Sequence, residues 1–516
     1  MNHVRRASTP GLTGATVTAG AIEVFGSAAH MTDEENKEGD ARWKEYTLEE
    51  VADHDGSGKE NGGRIWVTYG TRVFDITDFV PAHPGGEVIL KAAGGAIDPF
   101  WALYEQHKTE AVLDILNSLQ IGVLTADDAA AVEAKAAKTA ATTDSPYANE
   151  PDRSPLLVVR KEQPFNAETP LDLVAGHFLT PAMLWYCRSH HPIPDLPPPD
   201  YTLTVVVPGA TEADAEREVV FTLDELKALA ARKAVVTVAC AGNRRGGLGE
   251  GTQGLAWDIG AISTGEFAGA ALPALLREAG LDLDEVAAFD GKYHLQVFGH
   301  DAPYDASLPL HRVLAPLNDV MLAYELNGEP LPRDHGAPVR FVAPGVCGAR
   351  QVKWVTRIRV AREPAYSSWQ RGVAYRGYGP LVSSFDGLDV DSALPVYELP
   401  VTSAITKAEH SPDDQTVSLQ GFAYSGGGRG IVRVEVSVDN GESWQLAQLT
   451  HGADQHPDRA WAWTLWEAEL EVSPDNTAPV AVVRAVDAAY NSQPKDAQDV
   501  FNLRGILNNS WHRLVL

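Results

Sequence analysis

Three groups of residues in this sequence have types and spacings suited to chemistry. Cys240 closes the apolar, β-branched run Val235-Val236-Thr237-Val238-Ala239 and is followed by Ala241-Gly242-Asn243-Arg244-Arg245. The run reads as a buried strand and Ala-Gly-Asn as a turn. A thiol therefore stands at the C-terminal end of a strand, beside a loop that carries positive charge. A soft metal ligand facing an anion pocket fits that placement. So does a buried structural cysteine, the commoner fate of a lone one. The second group is His83, just before Pro84-Gly85-Gly86, with His107 in Tyr104-Glu105-Gln106-His107. Phe79, Leu90, Phe100, Trp101, Leu103 and Leu113 frame the pair, which suggests a flat apolar slot with an axial ligand on either side. The third group is a set of loops in which Arg, His or Lys sits beside Gly or Pro: residues 185–194, 327–340, 344–354 and 502–505. That is the usual form of anion and phosphate recognition. Together they suggest one large anionic ligand gripped from several loops.

Distinct units must position these groups. Residues 41–124 read as one compact unit. Thr47 caps a helix with Glu50 three residues on, and Arg64–Tyr69 and Thr71–Ile76 form two strands joined at Gly70. Residues 125–155 change to an Ala/Lys/Glu/Thr tract, a polar linker with some helical character. Residues 156–395 mix strands, turns and a few helices, an α+β pattern. Thr222 and Glu225 again mark a capped helix, and Ala268–Ala279 reads as helix ended by Gly280. Residues 396–516 read as all-β: Val417–Tyr424, Val432–Val438 and Val480–Val486 are strand-like, and Asp439-Asn440-Gly441 is a hairpin signal. An immunoglobulin-like sandwich, serving as scaffold or interface, fits that pattern. The fold class is thus multidomain α+β. Residues 1–40 read as a disordered or targeting segment, with Arg5, Arg6 and several Ser/Thr but no acid in the first 22 positions.

Composition narrows the function. A net charge of −28 argues against nucleic acid and anionic membrane surfaces and favours a basic protein partner. No apolar run approaches the ~20 residues that span a bilayer. Three cysteines, Cys187, Cys240 and Cys347, make no disulfide framework.

Residues 41–124 resemble cytochrome b5 through His83-Pro84-Gly85-Gly86 and the position of His107. The resemblance implies that these two histidines ligate haem b, and two imidazoles filling both axial positions suit electron transfer rather than oxygen binding. From about residue 165 onward, Cys240–Arg245, Gly254–Trp257, Gly260–Thr264, Arg333–Gly336, Gly348–Trp354, Asn502–Gly505 and Trp511–Arg513 resemble the sulfite oxidase family. The order of haem, molybdenum and dimerisation domains is that of its animal-type members. The resemblance implies that Cys240 is the thiolate ligand of molybdenum. It implies a molybdopterin held by the segment Trp185, Tyr186, Cys187, Arg188 and Ser189, by Asp301, His335 and Arg340, and by Gln351, Val352 and Lys353. It places Arg188, Arg245, Trp257, Tyr375 and Arg504 at the substrate pocket, with Tyr378 the rival of Tyr375. Ser189 replaces the family's usual asparagine, His191 is an extra imidazole, and Cys187 and Cys347 read as packing thiols.

The expected function is oxidation of sulfite to sulfate, with electrons passing singly through the haem to cytochrome c. The expected assembly is a homodimer in the mitochondrial intermembrane space if the chain is eukaryotic, and otherwise in periplasm or cytoplasm. Two other readings are a nitrate reductase-like molybdenum enzyme, which the haem-first domain order disfavours, and a non-enzymatic haem electron carrier.

Overall fold

The computed structural model describes residues 43–516, apart from 59–61, 84–88, 91, 99–100, 102–109, 143–144, 210–214, 284–291, 302–303, 316, 412 and 477. The expected segment 1–40 lies outside these residues. So do His107, Pro84, Gly85 and Gly86, together with Phe100 and Leu103 from the expected apolar frame.

The N-terminal unit is built on a five-stranded sheet, with strands in the order Lys44–Tyr46, Gln120–Leu124, Arg72–Asp75, Trp66–Tyr69 and Gly95–Ala96. Thr47 and Glu50 form the expected reciprocal cap of the helix Leu48–Ala52. The hairpin turns at Gly70, whose φ of +57° suits a residue without a Cβ. Val67, Phe74, Ile76, Ile97, Trp101 and Leu116 make the core. His83 ends the short 3-10 turn Val80–Ala82, and its ring meets Phe79 edge-on at 5.8 Å. The segment expected as a linker is mostly one α-helix, Ala126–Thr142. Its alanines are strong helix formers, and Ala129 and Val132 pack on the cluster of Tyr46, Val51, Val73 and Leu124. Asp128 joins it to the sheet unit by accepting from the Leu48 N–H. Farther on, Arg153 bonds to Glu150 and Asp334 and lies over the Phe165 ring, which ties residues 150–153 to the central unit.

The central unit holds three sheets. The smallest joins Val158–Lys161, β1 (Asn166–Glu168) and β2 (Cys187–Arg188). A second contains β3 (Ala231–Ala239), β4 (Ile262–Ala271) and β5 (Met321–Leu326) in that order, with Arg340–Val342 also paired to β5. The third runs Arg217–Thr222, Thr202–Val207, Val355–Ala361, His294–Gly299, Asp305–Pro309. The helix expected over Ala268–Ala279 starts only at Leu272 (α1, Leu272–Glu278). Ala268–Ala271 instead end β4, which lies between β3 and β5 and pairs with both. Those cross-strand bonds outweigh the helix preference of alanine. A Cβ on Gly269 would stand 2.1 Å from the Leu322 carbonyl oxygen, so only glycine admits so close a neighbour. Thr222 and Glu225 cap the helix Leu223–Ala228 as expected.

The C-terminal unit is a sandwich of two four-stranded sheets. One runs Thr402–Ser411, Thr416–Tyr424, Thr464–Glu471, Gln448–Leu449. The other runs Gln445–Leu446, Ile431–Ser437, Val480–Asp487, His512–Val515. Alternate residues such as Val417, Leu419, Val434, Val436, Ala481, Val483 and Trp466 fill the space between them. No helix among the described residues is long and apolar enough to cross a membrane.

Candidate active site

β3 delivers Cys240 to the lining of a cleft shared with Trp185, Arg188, His335, Arg340 and Tyr375. The Cys240 N–H donates to the Ala261 carbonyl just before β4, and the Ala261 N–H donates to Asn243 Oδ1. The turn after the cysteine is therefore pinned to the neighbouring strand at both ends. The thiol is 7% exposed, and the Gly242 N–H points at its sulfur from 3.4 Å.

The two arginines that follow have opposite roles. Arg244 takes a left-handed φ of 63° and turns away from the cleft. Its guanidinium donates to the carbonyls of Ser510 and Trp511, and Asn508 donates to its own carbonyl. Burial pushes Arg244 down to about 10. It is a fastener between the turn and the C-terminal segment. Arg245 faces the other way, donating to the carbonyls of Leu255, Arg504 and Gly505. A Cβ on Gly242 would lie 2.5 Å from its Nη2, and one on Gly505 2.7 Å from its Cγ. The glycines leave room for the guanidinium, and the carbonyls hold it without cancelling its charge. Arg504 donates to the Ala374 carbonyl and Gln253, and Arg188 to Asn166, the Ser189 carbonyl and His190. Among the described residues, none of the three has a carboxylate partner.

Tyr375 stands among these three cations and Cys240. Burial raises its hydroxyl pKa, and the arginines oppose that rise. Tyr378 instead donates to the Val390 carbonyl and packs on Phe385. Of the two tyrosines, Tyr375 lines the cleft.

The rest of the cleft suits a polyfunctional heterocycle with an anionic tail. Asp301 Oδ1, Arg340 Nε and Gln351 Oε1 are buried there without a partner, an expensive state unless a bound group supplies one. His335 donates Nε2–H to the Ala182 carbonyl, and burial pushes it down to about 4, so the ring is neutral. Burial, then Arg340, pushes the Lys353 ammonium down to about 8. One soft thiolate, unsatisfied hydrogen-bonding atoms of both kinds and basic side chains fit a molybdenum–molybdopterin cofactor.

Comparison with known proteins identifies the family. A human mitochondrial sulfite oxidase is 44% identical over 480 residues, 91% of this chain and 84% of that protein. The chain belongs to the sulfite oxidase family. A chicken sulfite oxidase is also 44% identical over 480 residues, 91% of this chain and 99% of its own length. Family models match in three places: a Cytochrome b5-like Heme/Steroid binding domain over 47–125, an Oxidoreductase molybdopterin binding domain over 190–369, and a Mo-co oxidoreductase dimerisation domain over 393–516. Among solved structures, the sulfane dehydrogenase SoxCD of Paracoccus pantotrophus is similar at a TM-score of 0.54 and 27% identity, covering 72% of this chain and 87% of that one. The chain is a molybdenum-dependent oxidoreductase of this family, with molybdenum–molybdopterin and haem b as cofactors and a homodimeric assembly.

Within that family frame, Trp185, Tyr186, Arg188, Ser189, Cys240, Asp301, His335, Arg340, Gln351, Lys353 and Tyr375 line the cleft together. Three expected residues, Cys187, Val352 and Trp257, lie behind its wall, as does Cys347, which was read as a packing thiol. The Cys187 side chain packs with Leu157, Phe165 and Ala167, its neighbour Arg188 taking the opposite face of β2, and burial pushes the thiol up to about 12. Val352 packs into the core of the third sheet. Trp257 is 1% exposed in the cluster that includes Cys240, where it backs the loop. Cys347 is buried, with its Sγ–H directed at the Val396 carbonyl, as a packing thiol. Arg245 and Arg504 sit beside the cleft, near Tyr375 and Cys240. Sequence reasoning missed His190, Tyr304 and Trp354, which also line it. His190 lay in plain view two residues after Arg188; Tyr304 had no local signal. For the haem, His83 is described and half-buried, while His107 lies outside the described residues.

Proposed function

We propose that this chain oxidises sulfite to sulfate in the cleft that Cys240 lines and passes the electrons singly through haem b to cytochrome c. One observation carries the reading: Arg188, Arg245 and Arg504 converge on Tyr375 and Cys240, each held by neutral acceptors. Three uncompensated cations form a preorganised site for a small dianion. When bound, the molybdenum cofactor supplies oxygen-atom transfer and two-electron storage, and the haem supplies one-electron steps. Cys240 holds the metal from the end of β3. Trp185, Arg340, Gln351 and Lys353 hold the pterin, with His335 kept neutral beside them. The three guanidiniums would hold and orient the anion, and the Tyr375 hydroxyl, protonated because it is buried, would offer it a hydrogen bond.

His83 and His107 ligate the haem iron in a domain spanning 41–124. The molybdenum domain covers 156–395 and the dimerisation domain 396–516. The net charge of −28 favours a basic acceptor, and its encounter should weaken with salt. Mitochondrial relatives support a mitochondrial location, and a cytochrome c acceptor points to the intermembrane space. The test is sulfite-dependent reduction of cytochrome c by the wild type and by Cys240→Ser. Activity in the first and essentially none in the second is expected. Nitrate reduction without sulfite oxidation would overturn the reading.

A further inference from the structure

The least expected part of the site is a strand of three residues. β1 is wholly buried, and its two outer side chains point the same way. At one end, Asn166 Oδ1 accepts from Arg188 Nη1 at 3.1 Å and from the Ser189 N–H at 3.1 Å. Its Nδ2 donates to the Pro164 carbonyl at 2.7 Å and the Ser189 carbonyl at 3.1 Å. Both amide hydrogens and the oxygen are used, so the amide can face only one way: reversing it would turn N–H groups onto the Arg188 and Ser189 donors. At the other end, Glu168 accepts from the N–H groups of Asp258 and Gly260 at 2.8 Å each, and from Arg160. Those two N–H groups end the loop that carries Arg245 and Trp257. One short strand thus fixes two of the arginine-bearing loops.

The choice of asparagine is chemically pointed. Some guanidiniums in this chain meet carboxylates, as Arg153 does Asp334, Arg160 does Glu168 and Arg459 does Asp319, whereas those around the cleft are held by neutral acceptors. An aspartate at 166 would have the same size and would bind Arg188 more tightly through a charge-assisted bond, although its second oxygen would face the Pro164 and Ser189 carbonyls that now accept from Nδ2. It would also cancel the charge. The remaining partners of Arg188 are neutral as well. The Ser189 carbonyl accepts at 2.6 Å, and the His190 Nε2 lies 2.8 Å from Nη2. Burial, and then Arg188 itself, holds the His190 imidazole uncharged, so that its nitrogen accepts.

We propose that Asn166 is a positioning residue for anion recognition, holding the Arg188 guanidinium in place through a neutral oxygen so that its charge remains available to the substrate. The proposal rests on the sulfite reading and adds a residue to it that touches neither substrate nor cofactor. The test is Asn166→Asp in the full-length enzyme, alongside the wild type. Expected are a KM for sulfite raised at least tenfold, sulfate inhibition weakened by a similar factor, kcat within threefold, and unchanged molybdenum content and haem spectrum. A merely structural asparagine would lower the melting temperature or the molybdenum content and leave KM alone. A fully loaded Asn166→Asp with KM and sulfate inhibition within twofold of wild type overturns the proposal. Should Asn166→Asp not take up molybdenum, Asn166→Ser serves instead: loss of the anchor should again raise KM, and a wild-type KM overturns the proposal. Failure of both variants to load assigns Asn166 to folding alone and also overturns it. A wild type inert toward sulfite would sink the functional reading itself, a separate outcome.

Discussion

Replacing Lys353 by methionine should remove a specific pH dependence from the stability of the cofactor-free protein. Lys353 Nζ donates to the Asp334 carbonyl at 2.7 Å and to Ser189 Oγ at 3.4 Å, and stands 4.1 Å above the Trp354 ring. Burial first, and Arg340 next, bring its pKa from 10.5 to about 8, partly opposed by Asp334. For a base, a lowered folded-state value means that folding disfavours the charged form. Below pH 8 both folded and unfolded chains hold the proton and the penalty is constant. Between 8 and 10.5 the unfolded chain still holds it and the folded chain has released it, so stability rises with pH across that window. From pH 7 to pH 9 the shift amounts to about 1.3 kcal/mol. Water on the open side of the cleft reduces this to about 1 kcal/mol. Urea titrations of cofactor-free wild type and Lys353→Met at both pH values would read it. The wild type should gain about 1 kcal/mol relative to the variant. A difference that does not change with pH, or that falls, would refute the assignment of Lys353 as a strained cation awaiting an anion. An anion bound beside Lys353 should abolish the gain, because it favours the charged form.

Cys240→Ser should fold, retain its haem absorbance and lose essentially all sulfite-dependent cytochrome c reduction, together with its molybdenum on elemental analysis. Arg504→Met should raise the KM for sulfite by tenfold or more while sparing molybdenum content, if the proposed role of Arg504 in holding the anion is right, since Arg504 lies beside Tyr375 and Arg188; steady-state kinetics and elemental analysis would read it. Trp463→Ala should cost about 3–5 kcal/mol, because Trp463 is fully buried, stacks on Phe422 and donates to the Phe178 carbonyl; thermal denaturation measures this. Asp319→Asn should cost about 2 kcal/mol, because Asp319 receives Arg459, Arg232 and the Trp461 N–H from two different domains; the loss should appear as a lower midpoint in urea.

The sequence showed most clearly those features whose partners lie nearby. Both capping boxes are three-residue signals, and both are present. The Cys240 turn is equally local, because the strand ahead of it and the Gly-Asn behind it already say where the thiol must sit. Contacts across long stretches of chain were harder. Nothing around Asn166 announces that it holds Arg188, 22 residues away, or around Arg504 that its carbonyl receives Arg245, 259 residues away; Arg504 was reached through family resemblance. Arg244 and Arg245 are neighbours with the same side chain, and only the left-handed backbone at Arg244 separates fastener from anion ligand. Ala268–Ala271 failed for the same reason: pairing on both edges of β4 decided their conformation, and a single strand of sequence does not contain its neighbours.

The sandwich was expected to serve as scaffold or interface with Arg504 reaching the pocket, and its last segment does meet the Cys240 turn. Residues 502–511 receive Arg244 and Arg245, donate the Leu507 N–H to the Ala241 carbonyl, and bring Arg504 to Tyr375. During synthesis the ribosome makes Cys240 and its turn more than 250 residues before the side chain that completes the anion site. A chain interrupted anywhere in between has Cys240 and its turn but not the arginine that completes the proposed anion site. Mutations that truncate or unfold the sandwich should therefore resemble active-site mutations in their effect, although Cys240 and the turn after it remain intact.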